Sequence, residues 1–364
     1  MIIKQVINIL EELAPLDYAE NFDNVGLLVG QNDTEVTGIL ITLDTLENVV
    51  EEAIQKNCNL IVSFHPIIFS GLKKITGANY VERTVIKAIQ HGIAIYSMHT
   101  ALDNSNKGVN AKICEILGLQ DTRILIPQTG TIKKLTTYIP KAHAEALRNA
   151  LYAAGGGQIG NYSNCSFSLE GTGSYKANQG ADPYMGTVGK IHYEQEIQIG
   201  ITYQKAFESN ILAALFGNHP YEEIAYEIQT LENSNQHIGM GMYGNLEKPL
   251  TEEAFFEFIK KKMHVSCIRH SAFLGNKINK VAVLGGSGSF AISAAKSVNA
   301  DVFVTSDLKY HQFYEAESKI LLADIGHYET EQFTKDLLVD YLTKKIPNFA
   351  ISLSESKTNP INYF

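Results

Sequence analysis

The sequence predicts an α/β protein: two related three-layer α-β-α lobes with an inserted α+β domain of ferredoxin-like type between them. Three observations predict it. Apolar runs suited to burial on both faces alternate with helical patterns through roughly the first 120 residues. The same alternation returns in the last third of the chain. Between the two, shorter runs with polar alternation take over, as in an antiparallel sheet with one wet face. The expected boundaries are residues 1–130, 131–245 and 246–364.

Each element follows from its pattern. Val6, Ile7, Leu10 and Leu13 mark an amphipathic N-terminal helix, and Ile39–Leu43 is an apolar β-run. A helix over Glu47–Lys56, a strand over Leu60–Phe64, a helix over Val81–His91 and a strand over Ile93–Ser97 complete the first series. In the last third, Val281–Leu284, a helix over Ala291–Val298, Val302–Thr305, a short helix near Phe313–Ser318 and Ile320–Ala323 repeat that order. Even the junctions before the second strands are alike: Asn57-Cys58-Asn59-Leu60 resembles Val298-Asn299-Ala300-Asp301. In the insert, Lys134–Pro140 reads as a strand and Ala142–Ala154 as a helix ended by Gly155-Gly156-Gly157. Thr187–Tyr193 and Glu196–Ile201 read as short strands, with a second helix beginning after Asn218-His219-Pro220-Tyr221. The Gly-, Ser- and Asn-rich stretch Gly171–Gly186 reads as a mobile loop.

Composition narrows the function classes. At 364 residues the chain exceeds what one hydrophobic core usually supports. An apolar fraction of 45% with 19% charged residues is that of a globular protein. A net charge of −9 weighs against a nucleic-acid backbone as the main partner. The N-terminal residues run straight into a helix without a signal-peptide pattern, and no stretch approaches a membrane span, so no membrane partner is expected. Four scattered cysteines, Cys58, Cys114, Cys165 and Cys267, form no CxxC pair and fit a reduced, cytoplasmic protein.

The chemistry gathers just past strand ends, where open α/β sheets place their ligands. Ser63-Phe64-His65-Pro66 is the first such site, and His99-Thr100-Ala101-Leu102-Asp103 the second. Thr305–His311, with Asp307 and His311, is the third; His327 and Glu331, four apart at the start of a helix, are the fourth. A lone histidine at a strand end is more often structural, and an acidic first turn more often a solvated helix start. Four such sites at equivalent positions make a metal centre the stronger reading. Asp307 and His311 are candidates to orient ligands or move protons, with a helix cap as the plain alternative for Asp307. Gly285-Gly286-Ser287-Gly288-Ser289 suits either phosphate binding or a tight strand–helix turn. His219 suits either an effector site or a helix start before Pro220.

These segments resemble a known family. Glu20–Gly30, with Asn21-Phe22-Asp23-Asn24-Val25-Gly26 at its centre, is similar to the N-terminal signature of the GTP cyclohydrolase 1 type 2 homologues, the Nif-three-like family. Phe64–Phe69, His99–Asp103, Gly285–Ser289, Thr305–His311 and Gly326–Glu331 resemble its further motifs, in order along both lobes. His219-Pro220-Tyr221-Glu222-Glu223 resembles the longer bacterial members, whose insert is similar to PII-like signal-transducing domains. The resemblance implies two divalent metal ions, with zinc, iron and manganese not distinguished, held by His65, Asp103, His327 and Glu331. One departure stands out: the family usually has two adjacent histidines before the proline, and here the first is Phe64. One ion then lacks a ligand, or His99 substitutes, and unequal affinities are expected. The resemblance further implies a ring-shaped homohexamer and a small-molecule substrate such as a nucleotide. Two functions compete: a metal-dependent hydrolase of a nucleotide or phosphoester, with His99, Asp307 or His311 managing protons, and a metal-dependent regulatory or metal-handling protein whose insert senses a small ligand.

Overall fold

The computed structural model describes residues Met1–Tyr363. Four strands come first: β1 (Gly26–Val29), β2 (Ile39–Thr42), β3 (Leu60–Ser63) and β4 (Ala94–Ser97). β5 (Gln120–Gln128) leads to β6 (Ile132–Pro140), β7 (Phe167–Lys176), β8 (Ile191–Gln204) and β9 (Tyr226–Leu231). β10 (Asn235–Thr251), β11 (Arg269–His270), β12 (Lys277–Ser287), β13 (Val302–Ser306), β14 (Leu321–Asp324) and β15 (Ile351–Leu353) follow. The chain divides into two compact units: Met1–Pro127 together with the chain from Gln236 onward, and Gln128–Asn235.

The larger unit holds two sheets, ordered β1-β4-β3-β2-β15 and β11-β14-β13-β12-β10-β5. The two sheets share a plan. In each, three successive strands run parallel, and the strand preceding them in the chain pairs antiparallel with the third. The helices before β3 and β13 also end alike. Asn57 and Asn299 both take a left-handed φ of 54°, and the next N–H groups, of Cys58 and Ala300, return to the carbonyls of Ala53 and Ala295. Asparagine tolerates that conformation where most side chains do not.

Burial explains why the strand runs are apolar throughout. Ile39, Ile41, Leu60 and Val62 share one core with Val281, Val283, Val302 and Val304. The alternate residues Leu40, Ile61 and Ile95 face a second cluster, and Ala282, Phe303 and Leu322 a third. Each fully buried aliphatic side chain contributes about 1.5–3 kcal/mol. That burial holds the strand ends, and the polar residues just beyond them, in fixed places. Among the described residues, no helix is long and apolar enough to cross a membrane.

The smaller unit is one antiparallel sheet, β7-β8-β6-β9, with helices Ala144–Ala153 and Glu208–Asn218 following β6 and β8. This is a βαββαβ order, as in ferredoxin-like folds. Leu147, Leu151, Ile211 and Leu215 pack on Leu135, Ile139, Ile199 and Ile201. Two expectations for the insert are corrected. Gly171–Lys176 is strand, because β7 pairs with β8 at ten successive positions and that ladder overrides a Gly- and Ser-rich composition. The second helix ends at Asn218 rather than starting there: Ile211 and Leu215, four apart, bury its inner face, and Pro220 disfavours continuation.

Candidate metal centre

The parallel strands deliver the site. His65 follows β3, and its N–H bonds the Leu43 carbonyl beyond β2, so the ladder continues past the strand ends. Two five-residue helices, His99–Asp103 and His327–Glu331, open just beyond β4 and β14. Both begin with histidine and end, four residues on, with a carboxylate.

His65, His327 and Glu331 converge, their ligand atoms all within 4.8 Å of one another. Glu331 Oε2 lies 3.1 Å from His65 Nε2 and 3.2 Å from His327 Nε2. The other ring nitrogens are already engaged: His65 Nδ1 with Asp44 Oδ1 at 2.8 Å, and His327 Nδ1 with Asp307 Oδ2 at 2.6 Å. A carboxylate holding Nδ1–H fixes the tautomer that leaves Nε2 a free electron pair, which is how metal-binding histidines are oriented. Three electron-rich atoms then face one another, and the buried Glu331 Oε2 makes no hydrogen bond. Such a cluster requires added positive charge.

The electrostatics agree. Burial opposes charging His65, but the facing carboxylates of Asp44 and Glu331 outweigh it and hold the ring up at about 10. Burial likewise opposes charging His327, while Asp307 and Glu331 bring it to about 10. Glu331 is fully buried, which alone would raise it, yet His327 and His65 hold it down at about 2. In the metal-free protein protons supply the missing charge, and a divalent cation can replace them.

Asp103 is the counterpart of Glu331 and differs from it. Burial, followed by the charge of Glu331, pushes its carboxyl well above the usual range. Its Oδ1 is buried without a partner. His99 stands beside the cluster, its ring 5.4 Å from that of His65, with Nδ1 held by Asp23 Oδ1 at 2.8 Å. Asp23 also accepts from the N–H and hydroxyl of Thr100 and stays ionised: burial opposes this, but His99 and Thr100 lower it. Phe64 is fully buried, its ring 4.9 Å from His65 and 5.6 Å from His99.

The glycine-rich turn has a packing role. Gly286 has φ +69°, and a Cβ there would lie 2.4 Å from Glu331 Oε1. Its N–H donates to Thr330 Oγ1, and the N–H of Gly285 to Asn110 Oδ1, so both donors are committed within the protein. Asn110 in turn donates to the Asp103 carbonyl. Here the tight-turn alternative describes the geometry: the turn is the wall against which Glu331 rests.

The profile of the Duf34/NIF3 family (NGG1p interacting factor 3) matches residues 1–360. The chain belongs to the Duf34/NIF3 family. A Bacillus subtilis protein named "GTP cyclohydrolase 1 type 2 homolog" is 38% identical over 99% of this chain and 98% of its own length. A Staphylococcus epidermidis protein of the same name is 35% identical over the whole of both chains. The crystal structure of a Bacillus cereus protein related to NIF3 superposes with a TM-score of 0.88 at 35% identity, covering 100% of this chain and 99% of that one. A Staphylococcus aureus structure gives 0.78 at 31%, with coverage of 100% and 99%.

For this Duf34/NIF3 chain, the structure brings His65, His327 and Glu331 into one cluster, with Asp103 and His99 beside it. Asp307 is hydrogen-bonded to His327 and so orients its ring. His311 sets its ring against Tyr310 and Tyr314. Asp44 and Asp23 were missed in the sequence. Asp44 was findable, since it follows β2 by the same strand-end rule that selected His65. Asp23 lies in an irregular segment 76 residues from His99, and only the fold pairs them.

Proposed function

We propose that this protein is a divalent-metal-dependent hydrolase acting on a nucleotide or phosphoester. The observation that supports it most is the convergence of two carboxylate-held imidazoles on one unbonded, buried glutamate oxygen. His65, His327 and Glu331 would hold one ion, and Asp103, with its unpartnered oxygen, would contribute to a second position that Phe64 leaves short of a ligand. Bound there, divalent metal would supply a water acidified toward neutrality and polarisation of a substrate oxygen. Asp44 and Asp307 keep the two rings in the ligating tautomer. His99, steadied by Asp23, is placed to take or give a proton at Nε2. The name carried by the relatives points to GTP; no purine-reading group is evident, so the substrate class is stated as nucleotide or phosphoester.

The second reading is a metal-dependent regulatory or metal-handling protein, with the insert as a PII-like sensor. It is favoured by a cavity of about 720 Å³ in the insert, large enough for a small ligand. Both readings place the protein in the cytoplasm as a homohexamer of two related lobes per chain. The test is metal analysis of gently purified protein, followed by turnover of nucleotides and phosphoesters with each metal restored. Turnover that is metal-dependent and absent in Glu331→Ala supports the hydrolase. Metal binding without turnover of any substrate rejects it in favour of the second reading.

A further inference from the structure

We propose that the cavity in the insert binds an organic cation, an ammonium or guanidinium carried on an apolar body. The proposal names the ligand class for the sensing role described above and is independent of the chemistry at the metal centre. The cavity is floored by β7 and β8 and roofed by the segment between them. That roof is fastened: the Tyr175 hydroxyl donates to the Met185 carbonyl at 2.7 Å, and the Asp182 N–H to Glu222 Oε1 at 2.9 Å.

Four phenol rings, Tyr138, Tyr175, Tyr184 and Tyr221, line the space. Tyr221 stands 5.9 Å from Tyr175 and 6.2 Å from Tyr184, centre to centre, tilted to both. Ring faces set at angles around a void are what a cation seeks. The charge is of the matching sign, since four glutamates line the cavity against one lysine, Lys176. Glu170 is paired with Lys141 at 2.7 Å. Glu196 is different: half-buried, it accepts from the Tyr221 hydroxyl at 2.7 Å and pairs with no lysine or arginine among the described residues. Space for it is built in, because a Cβ on Gly173 would lie 2.0 Å from its Oε2. A carboxylate without a lysine or arginine partner, in a cavity lined by phenol rings, is complementary to a cation arriving from outside.

The test uses full-length protein and three probes sharing one ring: benzyltrimethylammonium, benzyl alcohol and benzoate. Saturation-transfer NMR and calorimetry read the binding. The cation should bind preferentially, and Glu196→Gln should weaken it about five- to tenfold while leaving benzyl alcohol unchanged. Tyr221→Phe, which keeps the ring, should retain the cation. Backbone amide NMR signals of the insert should keep their wild-type dispersion in both variants, showing that its fold is intact. Equal binding of all three probes, preference for benzoate, or indifference to Glu196→Gln overturns the cation proposal and leaves the insert as a ligand site. No binding of any probe up to about 10 mM overturns the proposal and removes the support for sensing as well.

Discussion

The two five-residue helices at the ends of β4 and β14 occupy matching places in sheets of matching order, yet they create opposite electrostatics. At His327–Glu331 the carboxylate meets two imidazoles and is held at about 2. At His99–Asp103 the histidine turns to Asp23, and the carboxyl is left buried, partnerless and pushed well above its ordinary value. Scaffold geometry alone therefore does not make a half-site. Side-chain length and neighbours do. Glu331 has one more methylene than Asp103 and reaches both rings, while the ring beside His65 and His99 at position 64 is the phenyl of Phe64.

The harshest way to break the comparison is Glu331→Ala. It removes the oxygen shared by His65 and His327 and leaves two rings without a common partner. Losing a mere supporting hydrogen bond at a metal site costs about 10–100-fold in affinity, so losing this ligand should cost more. Metal analysis after gel filtration checks it; wild-type metal content in the variant would reject the assignment.

Asp103→Asn should act in the reverse sense on the two forms of the protein. Amide resembles protonated acid, the form favoured by burial here. Metal-free Asp103→Asn should unfold at the same or a higher temperature than metal-free wild type, while holding less metal. A large drop in the metal-free melting temperature would show that Asp103 is ionised and paired in the folded state.

Phe64→His would place a third imidazole beside His65 and His99. Because the position is fully buried, burying a polar ring there should cost about 1–3 kcal/mol of stability. Metal stoichiometry should rise, or chelator-driven loss should slow. An unchanged chelation profile would mean that His99, or another residue, already fills the place.

How much of this was legible follows from what sets each feature. Both parallel series could be read because burial on both faces demands uninterrupted apolar runs, as in Ile39–Thr42 and Val302–Ser306. His65, His327 and Glu331 were legible because polar residues ending such runs are conspicuous. β15 was not: Ile351–Leu353 joins the first sheet beside β2, more than 300 residues earlier in the chain, and nothing local announces that. Pairings such as His99 with Asp23 were illegible for the same reason. Gly171–Lys176 misled because a strand's identity can come from its partner rather than from its own residues.

A gentler probe of the comparison is pH. His65 and His327 ordinarily titrate near 6.5 and are held at about 10 in the metal-free fold. Their charged form therefore stabilises that fold fully below about 6.5, and the contribution fades as pH rises through about 10. Metal requires both rings neutral, so binding near pH 8 should release up to about two protons. Calorimetry in buffers of differing ionisation enthalpy counts them. A count of zero would mean that the rings are already neutral and that Glu331 does not hold their charge.

The smallest effect is expected from removing the insert. Gln128–Asn235 is a compact unit with its own core of Leu135, Leu147, Ile199 and Ile211. The chain leaves and re-enters the larger unit on the neighbouring strands β5 and β10, and a Cβ on Gly239 would lie 2.1 Å from the Ile126 carbonyl oxygen. The cut ends are therefore close, and a few Gly/Ser residues should join Pro127 to Gln236 without strain. None of the residues of the metal cluster lies in the excised segment. The shortened protein should fold and keep wild-type metal content, while losing any response to ligands of the insert. A product that is soluble but metal-free, across several linker lengths, would show that the half-sites depend on the insert, and that matching strand ends do not suffice to assemble them.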